Sequence, residues 1–226
     1  MDSLSILKRV PLLQSLGDAD LADLSVSIRV QRLREKRALF RKGDEGTALY
    51  IIKKGKIKIV LPSEIGEEVI LTIFSEGDFL GEMSLLDKKP RSADGVAMEE
   101  SEVYVLNRTD FLFFLQRNEN AIRCILSSLS ERLRKTDDLL EDASFLSVSA
   151  RLSKKLVELG REFGAQDKNI VRIGLKLTQQ DLADLVGTTR ESINKELKVL
   201  REKGLVGIEG GCIHLLDLER LKRRVH

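Results

Sequence analysis

Tryptophan is absent from these 226 residues, and histidine and cysteine occur only twice each. Cys124 and Cys212 lie far apart with no CxxC pair. That spacing argues against a disulfide scaffold and for a reducing cytoplasm. The only two histidines, His214 and His226, both lie in the C-terminal third, and no cluster of His and Asp is legible. A hydrolytic metal centre needs clustered ligands, and a metal-free hydrolase needs a positioned base. Neither is legible, so no enzyme, no metal and no permanent cofactor are expected. No run of about 18 apolar residues occurs, which excludes an expected membrane helix. The first residues carry Asp2, Lys8 and Arg9 and lack a long apolar core, unlike a secretory signal.

Hydrophobic residues make up 42% of the chain, enough for one large or two small cores. Net charge is only +2, but it is uneven. Residues 146–226 hold 16 Lys and Arg against 11 Asp and Glu, a balance of +5, while the preceding part holds 22 against 25, a balance of −3. The basic C-terminal third suggests contact with a polyanion.

The periodicity changes along the chain. Residues 4–30 read as helical, with Leu4, Leu7, Leu12, Leu13 and Leu16 apolar, and with Asp18 as cap of a helix carrying Leu21, Leu24 and Ile28. From about Val30 to Leu106, short apolar runs alternate with glycine turns. Leu49–Ile52 precedes a turn at Gly55, and Ile57, Ile59 and Leu61 then alternate, with lysines around the first of them. Val69, Leu71 and Ile73 follow the turn at Gly66. Short strands at this spacing predict a small antiparallel barrel or roll. Asp110 to Asp142 reads as one long helix. Ile122, Leu126, Leu129, Leu133, Thr136, Leu140 and Ala143 recur at heptad spacing. Such a seam on a single helix predicts a second copy of the chain as partner.

One stretch interrupts the strands, Phe79-Leu80-Gly81-Glu82-Met83-Ser84-Leu85-Leu86, followed by Pro90-Arg91-Ser92-Ala93. A glycine admits close backbone approach. The carboxylate of Glu82 suits sugar hydroxyls. The planar fork of Arg91 matches a phosphate, and the Ser92 hydroxyl and neighbouring backbone N–H groups add donors. One carboxylate for a ribose and one arginine for a phosphate, on one short loop with a helix near Ser84–Leu86, suggest a cyclic nucleotide. This stretch resembles the phosphate-binding cassette of cyclic-nucleotide-binding domains, and every fixed position of that pattern is filled. From about Leu4 to Arg224 the chain resembles the cyclic-AMP receptor protein (CRP/FNR) family of transcription regulators.

The C-terminal part carries its own signal. Thr178 is placed to cap a helix whose apolar face is Leu182, Leu185 and Val186, and Gly187 ends it. Thr188 and Glu191 have capping-box spacing for a second helix with Ile193, Leu197 and Leu200 inward. Two short helices across a glycine turn predict a helix-turn-helix. The second exposes Arg190, Glu191, Asn194, Lys195 and Lys198, groups able to read base edges near a helix N-terminus. Runs of apolar residues on either side of Gly210-Gly211 predict the hairpin of a winged helix. The last segment, with Arg220, Lys222, Arg223 and Arg224, reads either as a helix grazing phosphates or as a frayed basic tail.

The resemblance implies an α+β chain: an N-terminal cyclic-nucleotide-binding β-roll of jelly-roll type over 1–109, a long dimerisation helix and hinge over 110–146, and a winged helix-turn-helix over 147–226. It implies cyclic AMP as allosteric effector, held by Gly81, Glu82, Met83, Ser84, Arg91, Ser92 and Ala93. It implies that Thr136 meets the base and that the next residue reaches in from the other subunit. That residue is serine in most of the family and Asp137 here. For DNA it implies a palindromic operator with TGTGA-like half-sites. Arg190, Glu191 and Lys195 stand where the family has Arg-Glu-x-x-x-Arg. Thr178, Gln179, Gln180, Thr189, Ser192 and Asn194 complete the interface. It also implies a homodimer through the 110–142 helix and a contact with RNA polymerase, for which the loop at 164–169 is the candidate. The family's iron–sulfur and haem sensors need about four cysteines or axial ligands in the sensing domain, and this chain supplies neither. Two other readings stay open: a relative binding DNA without nucleotide or with another effector, and a nucleotide-binding module regulating a protein partner.

Overall fold

The computed structural model describes residues 8, 10–14, 17–167 and 170–225. Leu4, Leu7, Leu16, Lys168, Asn169 and His226 lie outside them. The chain divides into two compact units between Arg134 and Lys135, within its longest helix.

The first unit opens with a 3-10 turn at Pro11–Leu13 and helix α1, Asp18–Ser27. Gly17, not Asp18, holds the N-cap position; Asp18 is already the first helical residue. Eight strands follow: β1 Arg29–Leu33, β2 Ala38–Phe40, β3 Ala48–Lys54, β4 Ile57–Pro62, β5 Glu68–Phe74, β6 Phe79–Leu80, β7 Asp94–Ala97 and β8 Ser101–Asn107. They form two antiparallel four-stranded sheets, ordered β1-β8-β3-β6 and β2-β7-β4-β5. Helix α2, Glu82–Asp87, sits between β6 and β7.

β3 is buried on both faces, which is why its sequence reads as a continuous apolar run. Leu49 and Ile51 pack in a core with Phe111, Leu115 and Ile125 from the helices. Tyr50 and Ile52 join Leu33, Ile57, Leu80 and Val103 in a second core. The β4–β5 hairpin departs from the simple alternation read in its sequence. Ile59 pairs with Thr72 and Val60 with Ile70, which leaves Leu71 as an extra residue. A bulge exchanges the two faces of a strand beyond it. Ile70 and Ile73 are therefore buried, while Val69 and Leu71 are not.

The helix expected to run unbroken from Asp110 is two helices, α3 Arg108–Gln116 and α4 Glu119–Phe145. The break is a cap: the Asn118 side chain accepts from the backbone N–H of Ala121 at 3.1 Å. Within α4, Ile122, Leu126, Leu133 and Leu140 are exposed on the single chain. Leu129 is half-buried against the first core.

The second unit begins within α4. Ser147 caps helix α5, Val148–Phe163. The segment at 164–169 begins as a strand and not as a loop: β9 Gly164–Asp167 pairs antiparallel with β10 Ile170–Lys176. Helix α6 Gln179–Val186 and helix α7 Arg190–Glu202 come next, then β11 Val206–Glu209, β12 Cys212–Leu215 and helix α8 Leu218–Lys222. The sheet order is β11-β12-β10-β9. Gly210 and Gly211 have φ of 58° and 78°, the left-handed pair a tight two-residue hairpin needs. The α+β arrangement, with a β-roll, a long helix and a winged helix-turn-helix, is the one the sequence implies.

Candidate nucleotide cassette and candidate reading helix

The cassette is pinned from three sides. Gly81 has φ 89° and holds the N-cap position of α2. A side chain there would meet the Arg91 guanidinium at 2.5 Å, so only glycine lets the loop close over the arginine. Gly46 has the same role on the other side, where a Cβ would lie 2.2 Å from that of Ser84. The backbone of Arg91 donates to the Asp44 carbonyl at 2.8 Å and accepts from the Gly43 N–H at 2.9 Å.

Arg91 is 4% exposed. It donates to the carbonyls of Gly81 at 2.6 Å and Ala48 at 2.7 Å. Its guanidinium carbon lies 4.6 Å from the Phe40 ring centroid and 5.5 Å from that of Tyr50, and the two rings stack at 5.7 Å. Nε makes no hydrogen bond among the described residues. Burial pushes the Arg91 pKa down; Tyr50 and, more weakly, Glu82 and Asp44 pull it back. Glu82 is 1% exposed. Its Oε1 accepts from Arg132 at 2.6 Å, while Oε2 is buried with no hydrogen bond among the described residues. The site thus offers an orphan acceptor and a desolvated cation, which suits a hydroxyl and an anion.

Arg132 is the residue that sequence reasoning missed. It belongs to α4, donates also to the Phe79 carbonyl at 2.7 Å, and lies over the Phe74 and Phe79 rings at 4.6 and 5.4 Å. It ties the seam-bearing helix to the cassette. Its one legible signal is an arginine four residues before Thr136, hence on the same face of the helix. The Phe40–Tyr50 platform had no signal of its own. Met83 and Ser92 are exposed, Ser84 and Ala93 buried. Thr136 and Asp137 are exposed residues of the second unit.

In the second unit Thr178 caps α6 through a reciprocal pair with Asp181, both bonds at 3.0 Å. Gly187 has φ 66° and ends the helix. The cap of α7 is Thr189, one residue later than the Thr188 expected from spacing. Its hydroxyl accepts from Ser192 N–H at 3.2 Å and pairs with the Ser192 hydroxyl at 3.0 Å. The hydroxyls of Thr189 and Ser192 are therefore engaged with each other. Ile193, Leu197 and Leu200 are buried, while Arg190, Glu191, Asn194 and Lys195 are exposed. Gln180 is exposed, Gln179 half-buried. The Gln180 amide donates to buried Asp184 at 2.7 Å, an acceptor without a sequence signal. Among the described residues no three His, Cys, Asp or Glu side chains are grouped to hold a metal, and no helix is long and apolar enough to cross a membrane.

Residues 30–118 match the cyclic nucleotide-binding domain family, and residues 150–224 match the Crp-like helix-turn-helix domain family. The CRP-like cAMP-activated global transcriptional regulator of Mycobacterium tuberculosis strain H37Rv is 32% identical over 219 residues, 97% of this chain and 98% of that one. The chain belongs to the CRP/FNR family of transcription regulators. A second member, the cyclic AMP receptor protein of Thermus thermophilus, is 31% identical over 221 residues, covering 96% and 97% of the two chains. Among solved CRP-type structures, the c-di-GMP responsive global regulator CLP of Xanthomonas campestris superposes with a TM-score of 0.74 at 26% identity, covering 88% and 99%. As a CRP/FNR regulator this chain pairs a cyclic nucleotide-binding domain with a DNA-binding helix-turn-helix, and its relatives form a non-enzymatic class.

Proposed function

We propose that this chain is a cytoplasmic, homodimeric transcription factor whose grip on a palindromic, TGTGA-type operator is controlled by cyclic AMP. The observation that carries the reading is the pair of buried, unsatisfied atoms at the cassette, Glu82 Oε2 and Arg91 Nε. A ribose 2′-hydroxyl donates to the first. A cyclic phosphate neutralises the desolvated guanidinium, with help from Ser92 and from backbone N–H groups at Met83, Ser84 and Ala93. Satisfying both recovers desolvation cost already present in the fold, on the order of 1–3 kcal/mol for each group.

Arg132 supplies a route for control. It shares Glu82 with the incoming ribose and belongs to the helix that carries the exposed leucines. A hydroxyl donating to Glu82 draws on the same carboxylate that holds Arg132 of α4, and α4 carries the seam through which two copies pair. Thr136 meets the base, and Asp137 reaches the base of the partner's nucleotide. The favoured packing of the pair sets the two reading helices about one DNA turn apart. Arg190, Glu191 and Lys195 read bases, with Asn194 on the same outward face; Thr178, Gln179 and Gln180 meet the phosphate backbone, and Thr189 and Ser192 complete the interface. RNA polymerase is the further partner.

A second reading keeps the operator and changes the effector. It rests on Asp137, an exposed carboxylate where the family mostly has serine, and on the likeness to a c-di-GMP responsive regulator. One titration separates the two: purified protein onto a TGTGA-type palindrome at fixed salt, alone, with cyclic AMP, and with c-di-GMP. Tight binding only with cyclic AMP is the expected result. Equal binding in all three overturns nucleotide control and leaves the DNA reading intact.

A further inference from the structure

The C-terminal segment, which the sequence left open between a helix and a frayed tail, is built into its domain. Asp217 caps α8 by accepting from the Arg220 N–H at 3.0 Å, Leu221 is fully buried, and Arg224 donates to the Ser149 hydroxyl at 2.6 Å. Together with the end of α7 this segment walls a groove of about 400 Å³ lined by Lys203, Leu205, Arg220, Arg223 and Arg224. Four of those five residues are cations and none is a carboxylate. Leu205, the one apolar lining residue, is buried. The Nε of Arg224 is buried without a hydrogen bond among the described residues. Arg220 reaches Asp217 only at 3.9 Å.

The groove lies at the wrong end of the reading helix to serve base recognition. α7 has 13 residues, about 20 Å at a rise of about 1.5 Å per residue. Arg190 opens it and Lys203 follows its last turn. Recognition helices offer their N-terminal residues to the bases, and Lys203 stands at the opposite end of α7. The volume exceeds that of a single small anion, and guanidinium forks match carboxylates in pairs.

We propose that this groove docks a short, carboxylate-rich segment of a protein partner while α7 remains on DNA. The orientation rests on the reading-helix assignment above; the groove itself does not. The test uses the full chain and a fluorescein-labelled peptide of alternating aspartate and glutamate, followed by anisotropy, with an asparagine–glutamine peptide of equal length as control. Three variants are compared: Lys203→Glu with Arg223→Glu, the milder Lys203→Gln with Arg223→Gln, and Arg190→Glu on the reading face. Lys203, Arg223 and Arg190 are all exposed, and thermal melts verify folding.

The acidic peptide is expected to bind the parent chain. Binding should weaken by about tenfold or more in the charge-reversed groove variant, less in the glutamine variant, and by under about twofold in Arg190→Glu. Operator affinity of the groove variants should stay within about threefold of the parent. Three results overturn the proposal: no peptide binding by the parent chain, equal loss in Arg190→Glu, or a groove variant with weaker operator binding and a shallower salt dependence, which would assign the groove to DNA phosphates. Arg190→Glu on operator alone tests the reading helix, so the two failures are distinguishable.

Discussion

The cassette and the reading helix handle polar groups in opposite ways. Glu82 and Arg91 are 1% and 4% exposed, while Arg190, Glu191 and Lys195 lie open to solvent. Buried polar groups are coupled to the fold: each touches backbone, rings or another charge, and each carries a desolvation cost. Exposed polar groups touch little of the fold. Substitutions in the cassette should therefore disturb stability and binding together, and substitutions on α7 should disturb binding alone.

The largest effect is expected at Arg91. In Arg91→Ala the carbonyls of Gly81 and Ala48 lose their donors. Orphaned buried acceptors cost about 1–3 kcal/mol each, so the melting temperature should fall by several degrees. Cyclic AMP affinity, read by calorimetry, should fall by about 100-fold or more. A variant of parental stability would show that the arginine is not the structural keystone its carbonyl contacts make it. Glu82→Gln is gentler because the shape is kept. The ion pair to Arg132 weakens, and affinity should drop by about 10- to 100-fold, the range for a hydrogen bond to a charged group. The comparison sharpens with 2′-deoxy-cyclic AMP: the parent chain should discriminate against it, and Glu82→Gln should discriminate far less. Equal discrimination would move the ribose away from Glu82.

Arg190→Ala is the counterpart on the exposed side. Operator affinity should fall by about 10- to 100-fold, the 1–3 kcal/mol of one bidentate base contact. The melting temperature should hold, since exposed substitutions shift stability by about 0.5 kcal/mol or less. A large stability loss here, or none at Arg91, would erase the distinction between the two regions.

The same distinction explains what the sequence made legible. The cassette is contiguous, so the order of Gly81, Glu82 and Arg91 is a local pattern, and the left-handed turn at Gly81 is a local requirement of it. The capped helix pair was equally local, through Thr178, Gly187 and the inward Ile193, Leu197 and Leu200. Groups that act across the fold had no local mark. Arg132 meets Glu82 from 50 positions away, and Phe40 reaches Arg91 from strand β2. Asp184 shows itself only as a buried partner of Gln180. Small misplacements came from competing caps: Asn118 breaks the expected long helix, and Thr189, not Thr188, starts α7 because its hydroxyl reaches the Ser192 N–H. The bulge at Leu71 could not be read from alternation, because the pattern gives faces and not the residue at which a strand slips.

The smallest effect, and the finest test of the exposed side, is Lys195→Arg. Lysine offers a point charge where the family pattern has a planar fork. The outward position is exposed, so the longer side chain fits without repacking the core of Ile193 and Leu197. If the half-site is TGTGA-like, the fork gains a second bond to its guanine, and preference for that base over its alternatives should rise by a few-fold, below the roughly 1–3 kcal/mol of a full bidentate contact. Stability should not move. The measurement is a set of operator titrations in which one base pair of each half-site is varied at fixed salt. A preference that sharpens at one position locates Lys195 over that base. A uniform gain across all sequences would mean that the side chain meets phosphate, and α7 would then sit in its groove in a different register from the one Arg190 and Glu191 imply.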